Sequence, residues 1–400
     1  MQTTNWKKLH ILGVAGALSW MGSSMTTFTV ILRDKDAVGP LGVSFILLSM
    51  MLPTIVLAPV AGLVADKFST RTLIPPLLVV MGLSNLTLAF SPPHWWTYVA
   101  LGLTASCGVA VGASFNAALP TIATKDDVPR AMGIQQTYSS FGNLFAPALA
   151  GILVAASGYF WPFVIDAISF FVLATTILLL KINRPGVVHE EGEKLKAMDG
   201  VREVFGDDLM RALVVLFAVL ILALGVINVG EVFLITDELG GDAFIYGLAG
   251  SLFAIGSVTG GVVASSIKLP IGKQPAMVIG AIGTLVLTVI GLSQAWHWGV
   301  ALGLSFVAGL GNSVLNAYGV GIIIRRSKSE TRGRVMAAVG AIVNVSSVSA
   351  SGIGGLMIGI FGVREVLLVG GVISAVVLIV FGPAVLRAGR SSVEQDSQSS

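Results

Sequence analysis

The sequence predicts an all-α membrane protein whose twelve transmembrane helices form two pseudo-symmetric six-helix bundles. Hydrophobic residues make up 54% of the 400 and charged residues only 11%, against roughly 25% charged in a soluble domain. The apolar residues come in long runs separated by polar links, and a chain of this length has room for about twelve crossings of about 20 residues each. Of the 24 Lys and Arg, all but Arg33, Lys35 and Arg364 fall on alternate links or the termini. Both termini therefore lie on the basic side, and Lys and Arg accumulate on the cytoplasmic face. A multi-pass protein of the cell (inner) membrane with cytoplasmic ends follows.

The first six spans run over 10–32, 41–65, 73–91, 96–124, 130–157 and 160–181. The second six run over 211–236, 244–267, 275–293, 298–324, 333–360 and 365–386. Lys7 and Lys8 before the first apolar run resemble a signal start, but no small-residue cleavage site follows, so the segment reads as an uncleaved span. These limits define an N-terminal bundle, 1–181, a cytoplasmic linker, 182–210, and a C-terminal bundle, 211–386. In the linker Leu195, Met198, Val201, Val204 and Phe205 recur at helical spacing among Lys194, Lys196 and Arg202, the pattern of an amphipathic helix on the membrane surface. The last stretch, 387–400, is rich in Ser and Gln and reads as a disordered cytoplasmic tail.

The two sets of spans echo each other. His94-Trp95 recurs as His297-Trp298 at an offset of 203, and Arg130, Gly151 and Gly158 recur as Arg334, Gly355 and Gly362 at an offset of 204. A parallel duplication about an axis along the membrane normal explains this, and transporters built so place their site between the halves. Glycines four apart, at 108 and 112, 256 and 260, and 355 and 359, let helices approach closely.

Two motifs carry a resemblance. After the second span the chain reads Gly62-Leu63-Val64-Ala65-Asp66-Lys67-Phe68-Ser69-Thr70-Arg71-Thr72-Leu73-Ile74, which resembles motif A of the major facilitator superfamily. Gly62, Ala65, Asp66, Lys67, Arg71 and Ile74 match; Ser69 and Thr70 depart from the usual Gly and basic residue. In the fifth span Gly142, Ala146, Pro147, Ala150 and Gly151 resemble the antiporter motif C, with Ala146 and Ala150 in place of two glycines. Residues 130–171 are similar to the enterobactin-exporter and macrolide-efflux branch.

The resemblance implies the major facilitator fold. It further implies that Asp66 faces the N-terminus of the eleventh span, where a helix dipole favours an anion, with Arg71 in reach as its partner. Gly62, Asp66, Lys67 and Arg71 would then form a gating motif that biases the outward-open state. Motif C implies export, its proline bending the helix and its small face allowing tight packing.

An ionisable group inside a membrane is costly and therefore informative. Asp166 and Glu231 are the two that fall clearly inside spans. The resemblance places spans one, four, seven and ten around a cavity, which puts Glu231 on the cavity and Asp166 at the periphery. Asn228 shares the Glu231 face, three residues away, and Asn312 and Asn316 lie four apart on span ten, as Ser23 and Thr27 do on span one. Glu231 is the candidate proton carrier or partner for a cationic substrate, with the Asn residues orienting a polar group; the alternative is an interfacial acid. Asp34, beside Arg33, is a weaker candidate at the external gate. Asp166 ranks second and reads chiefly as structural, with Phe28, Trp20, Phe115 and Tyr318 as cavity wall.

These features imply a secondary transporter exporting amphipathic small molecules, drug-like or siderophore-like, by proton antiport and alternating access. Its partners are the small-molecule substrate, protons and the bilayer, with a monomer favoured. A facilitative carrier or a lipid or siderophore exporter stays open, because Val99 to Thr124 holds no basic residue where many proton-coupled drug exporters carry an Arg. A receptor or intramembrane enzyme is remote: His10, His94, His189 and His297 all sit in loops or at helix ends, with no catalytic set. One cysteine, Cys107, excludes an internal disulfide and a Cys/His metal cluster, and no phosphate loop or cofactor motif occurs. The net charge of +3 comes from the basic links and gives no reason to invoke nucleic acid.

Overall fold

A computed structural model describes residues 4–124, 127–185, 197–267, 269–327 and 331–398, and these are helical with no strand. Helix α1 (Trp6–Val56) is 51 residues long and is broken at Gly39, where φ of 63° interrupts the helical backbone before Pro40. Only glycine adopts that region cheaply, and about 20 residues make one crossing. This element therefore holds the first span and much of the second, which α2 (Ala58–Lys67) completes. Then follow α3 (Thr70–Leu88), α4 (His94–Ala118), α5 (Val128–Ser157) and α6 (Phe160–Leu179).

After the linker come α7 (Ala197–Gly206), α8 (Asp208–Leu224), α9 (Ile227–Phe233) and a π-helical turn over Leu234–Glu238. The series closes with α10 (Ala243–Ser266), α11 (Gln274–Ser293), α12 (Trp298–Arg326), α13 (Arg332–Phe361) and α14 (Val363–Gln398). Among the described residues eleven helical stretches are long and apolar enough to cross a membrane, the first of them long enough for two crossings. The protein is a multi-pass membrane protein.

The chain divides into two compact units, Met1–Gly192 with Asp242–Ser251, and Glu193–Gly241 with Leu252–Ser400. The sequence-based boundary puts 242–251 with the second bundle, whereas in the structure these residues pack into the first unit. Glycine explains it: a Cβ on Gly247 would collide with the Pro147 carbonyl, and one on Gly250 would lie 3.0 Å from Pro147 Cβ. Inside the second unit Gly256 and Gly260 bring α10 onto the backbone of Phe306 and Leu310 of α12, while Gly112 and Gly359 face open space. Of the three glycine pairs, the pair at 256 and 260 thus marks a close crossing.

Two peripheral segments differ from the sequence-based reading. Helix α7 buries Val204 completely, in a cluster with Met210, Val214, Ile323, Val335 and Val339, so at this residue the helix faces the protein; Phe205 remains exposed. Lys194, Leu195 and Lys196 lie outside the described residues. The tail expected to be disordered is described as helix to Gln398, because adding residues to an existing helix costs far less than starting one.

Candidate functional site

Asp166 lies in the middle of α6 and is completely buried. The Thr26 hydroxyl of α1 donates to its Oδ2 at 2.7 Å and the Asn85 amide of α3 donates to the same oxygen at 2.6 Å. Thr104 of α4 donates to the Asn85 carbonyl oxygen at 2.9 Å, which fixes the amide with its NH2 toward the carboxyl. Ser23 and Ser169 place their hydroxyl oxygens 3.4 and 3.5 Å from Oδ1. A Cβ on Gly22 would come within 2.6 Å of Oδ1, so glycine there lets α1 lie against the acid. Ranked second from sequence, Asp166 is the centre of a buried side-chain network in its unit, in which Ser23 is joined by Thr26, Asn85, Thr104 and Ser169, which the span pattern did not single out. A signal existed in Asn85, an amide inside an otherwise apolar run.

Glu231 sits in the second unit, partly buried, where the seventh span is least regular. The helix breaks after Leu224, resumes at Ile227 and loosens into the π-helical turn at Leu234, a distortion frequent at functional sites. A single side-chain contact is recorded for its carboxylate, from the Ser305 hydroxyl of α12 at 3.5 Å, and Ser305 donates at 3.0 Å to the Ala301 carbonyl. Asn228 is exposed one turn away, and its side chain makes no hydrogen bond to Glu231. Asn316 is exposed and bonds Asn312, at 2.8 Å to its carbonyl and 3.3 Å to its side chain. The pairing of Asn312 with Asn316 follows from their spacing, but the partner of Glu231 is Ser305, on a different helix, which no local pattern announces.

Motif C is fully placed inside the first unit. Ala146 and Ala150 are completely buried. Gly142 lies against Ala17 of α1, and a Cβ on Gly151 would come within 2.6 Å of the Ala243 carbonyl. Pro147 has no N–H to give to the helical ladder, and beside it the Ala148 N–H donates to the Ser251 hydroxyl at 3.0 Å. Phe28 joins this seam, half-buried with its ring 5.1 Å from that of Tyr246.

Motif A takes a different partner from the one expected. Asp66 pairs with Arg184 at 3.0 Å, not with Arg71. Arg184 is strapped across the motif by the Thr70 N–H on its carbonyl at 3.1 Å, whereas Arg71 is exposed in the first turn of α3. Gly62 has open space around it, and Lys67 lies 5.7 Å from the Phe68 ring.

The remaining candidates are placed as follows. Asp34 is buried and bound to Arg33 at 2.7 Å, with His94 at 3.5 Å. Arg33 also donates to the Leu88 carbonyl at 2.7 Å and to Thr97 at 2.9 Å. That pair closes the end of α3. Trp20 is exposed and donates to Asn143 at 2.8 Å. Two expected wall residues turn inward to their own units instead: Phe115 packs on the core that includes Ile74 and Leu119, and Tyr318 is buried with its hydroxyl on the Ala264 carbonyl at 3.1 Å. A phenol whose proton finds a carbonyl within its own bundle is held there. Among the described residues no group of His, Cys, Asp and Glu could hold a metal ion.

Comparison with known proteins agrees with this architecture. An uncharacterized MFS-type transporter, YfiS of Bacillus subtilis, is 28% identical over 171 residues, 41% of this chain and 40% of that protein. A multi-drug resistance efflux pump PmrA homolog of Lactococcus lactis is 27% identical over 225 residues, 54% of each. The chain thus spans about half or less of the curated relatives it matches. Among solved structures, the nucleoside transporter NupG superposes with a TM-score of 0.77 at 12% identity, over 94% of this chain and 99% of that one. A bacterial homologue of the iron transporter ferroportin superposes with a TM-score of 0.72 at 17% identity, over 95% and 100%. The Major Facilitator Superfamily description matches residues 12–233 and 213–399. The chain belongs to the Major Facilitator Superfamily, a family of membrane transporters.

Proposed function

We propose that this transporter exports amphipathic small molecules across the cell (inner) membrane by proton antiport, through alternating access, with both termini cytoplasmic. The observation that carries export is the fifth-span seam. The Ala148 N–H beside Pro147 donates to Ser251, and Pro147 and Gly151 provide a surface on which residues 243–251 lie backbone to backbone, while Ala146 and Ala150 pack against Met25 of α1. Similarity to an efflux pump homolog supports the same direction, as does the likeness of 130–171 to the enterobactin-exporter and macrolide-efflux branch. Glu231 is the coupling group: a carboxylate with one long contact can change partners when a proton or a cationic substrate arrives. Asn228, Asn312 and Asn316 orient the polar end of the substrate. Asp66, held by Arg184, provides the gating acid of motif A. A monomer suffices for this cycle.

The test is efflux from proteoliposomes with an imposed pH gradient, screened against lipophilic dyes, antibiotics and siderophores. Accumulation that collapses with the gradient in the wild type, and is absent in Glu231→Gln while substrate counterflow persists, supports the reading. Unchanged gradient-driven efflux in Glu231→Gln removes Glu231 from it. A second reading, facilitative carriage including lipid or siderophore export, is favoured by the absence of any basic residue between Val99 and Thr124; wild-type efflux indifferent to the gradient establishes that one.

A further inference from the structure

The two oxygens of the Asp166 carboxyl face different chemistry. Oδ2 receives two hydrogens, from Thr26 at 2.7 Å and from Asn85 at 2.6 Å. Oδ1 faces two hydroxyl oxygens, Ser23 at 3.4 Å and Ser169 at 3.5 Å. A hydroxyl carries one hydrogen, and each serine has a closer acceptor for it: Ser23 bonds the Ser19 carbonyl at 3.1 Å and Ser169 the Asp166 carbonyl at 2.7 Å. Toward Oδ1 both serines therefore present lone pairs. An ionised Oδ1 would be repelled by them, whereas an O–H there has an acceptor waiting.

Among the described residues no cation is recorded against this carboxyl. On α1, Arg33 is bound to Asp34, the Leu88 carbonyl and Thr97, and Lys35 pairs with Asp36. On α3 the lone charge, Arg71, stands at the far end of the helix from Asn85. On α4, His94 lies at Asp34, Tyr98 stacks with Phe45, and Cys107 is a neutral thiol in the apolar core. On α5, Arg130 lies over Trp6 and Tyr138 contacts His10. A sodium ion is disfavoured as occupant because Asn85 turns its NH2, not its carbonyl, toward the acid. Thr26, Asn85 and Ser169 are buried, while Ser23 is partly exposed, so Ser23 is the way out.

We propose that Asp166 is a proton-binding site of the first unit, carrying its proton on Oδ1 in a hydrogen bond to a serine oxygen and exchanging it through Ser23 during transport. On release the Oδ1–H bond breaks and the proton passes to water at Ser23. The Ser23 hydroxyl then turns from the Ser19 carbonyl to donate to the carboxylate, which keeps Thr26 and Asn85 on Oδ2. The proposal rests on the antiport reading and adds to Glu231 a second proton carrier on the other unit.

Infrared spectroscopy of the full chain in liposomes tests it, because a protonated carboxyl has its own C=O stretch that moves in D2O. The expected result is an acid band in Glu231→Gln that is lost when Asp166→Asn is added to it, with Asp166→Asn by itself losing gradient-driven efflux while keeping substrate counterflow. Should Asp166→Asn not fold, Ser23→Ala serves instead: the band shifts as its hydrogen-bond acceptor goes, and the pH profile of efflux shifts with it. Absence of the band in Glu231→Gln, its appearance only when sodium is withdrawn, or its persistence in the Glu231→Gln, Asp166→Asn double variant overturns the site. Full gradient-driven efflux in Asp166→Asn, or a Ser23→Ala band and pH profile identical to wild type, overturns the exchange. Wild-type efflux that ignores the gradient overturns the antiport reading and the exchange with it, and the band then decides protonation by itself.

Discussion

Asp166 and Glu231 are both carboxyls inside spans, yet they are held in opposite ways. Asp166 has no exposed surface and has four side-chain polar partners; Glu231 is partly exposed and among the described residues has one, Ser305, at 3.5 Å. Two close donors on Oδ2 of a buried carboxyl fix the helices that supply them, while a carboxyl with a single long contact leaves its surroundings free to rearrange. The first unit uses its acid to lock α1, α3 and α6 together. The second leaves its acid beside a broken helix.

That contrast can be broken by stability measurements. Asp166→Leu leaves the Thr26 and Asn85 donors buried without an acceptor, at about 1–3 kcal/mol each. A loss of about 4 kcal/mol is expected in thermal unfolding of the detergent-solubilised protein, against about 1 kcal/mol or less for Glu231→Leu; equal losses erase the distinction. The charged ends give a parallel pair. Arg33→Gln strands the buried Asp34 and should cost about 3 kcal/mol. Arg364, whose partner Glu238 is 46% exposed, should cost about 1 kcal/mol or less on mutation to Gln.

Smaller effects sharpen the picture at Glu231. Ser305→Ala removes its one contact and should change the pH profile of efflux while leaving the unfolding temperature within a degree or so of wild type, since an exchangeable hydrogen bond contributes on the order of 0.5 kcal/mol. A profile identical to wild type separates Ser305 from coupling. The smallest effect is at Asp127, outside the spans. The Thr4 and Thr124 hydroxyls donate to its carboxylate and hold it below the usual carboxylate range. A depressed carboxyl contributes stability that is present above its unfolded value and lost as pH falls through the folded one. The Asp127→Asn variant should therefore lose less stability than wild type between about pH 5 and about pH 3, followed by unfolding in acid.

Both motifs were legible as strings of residues, but their partners were not. Motif A places Asp66 at the end of α2, and its spacing offers Arg71; the structure supplies Arg184, 118 residues away, because the segment after α6 crosses the motif. Motif C offers a kink and a small face, yet the hydroxyl that accepts from the Ala148 N–H, Ser251, lies 103 residues on. Arg33 and Arg364, minority basic residues by charge counting, cap the ends of α3 and α11: Arg33 binds the Leu88 carbonyl, and Arg364 binds those of Ser293 and Ala295 at 3.2 and 2.8 Å.

By itself the sequence determined the all-helical, multi-pass architecture and the approximate place of most crossings, while the ends of the first, fourth and last spans lie six or more residues from the helix limits in the structure. Those facts follow from hydropathy and charge, which act residue by residue against the bilayer. Only the tertiary structure decided that Asp166 meets Asn85, Thr26 and Ser23, that Glu231 meets Ser305, and that Tyr318 turns inward. Such contacts depend on the rotation of each helix about its axis, and in apolar surroundings that rotation is set by packing against neighbours, which a one-dimensional pattern of lipid-soluble residues leaves open.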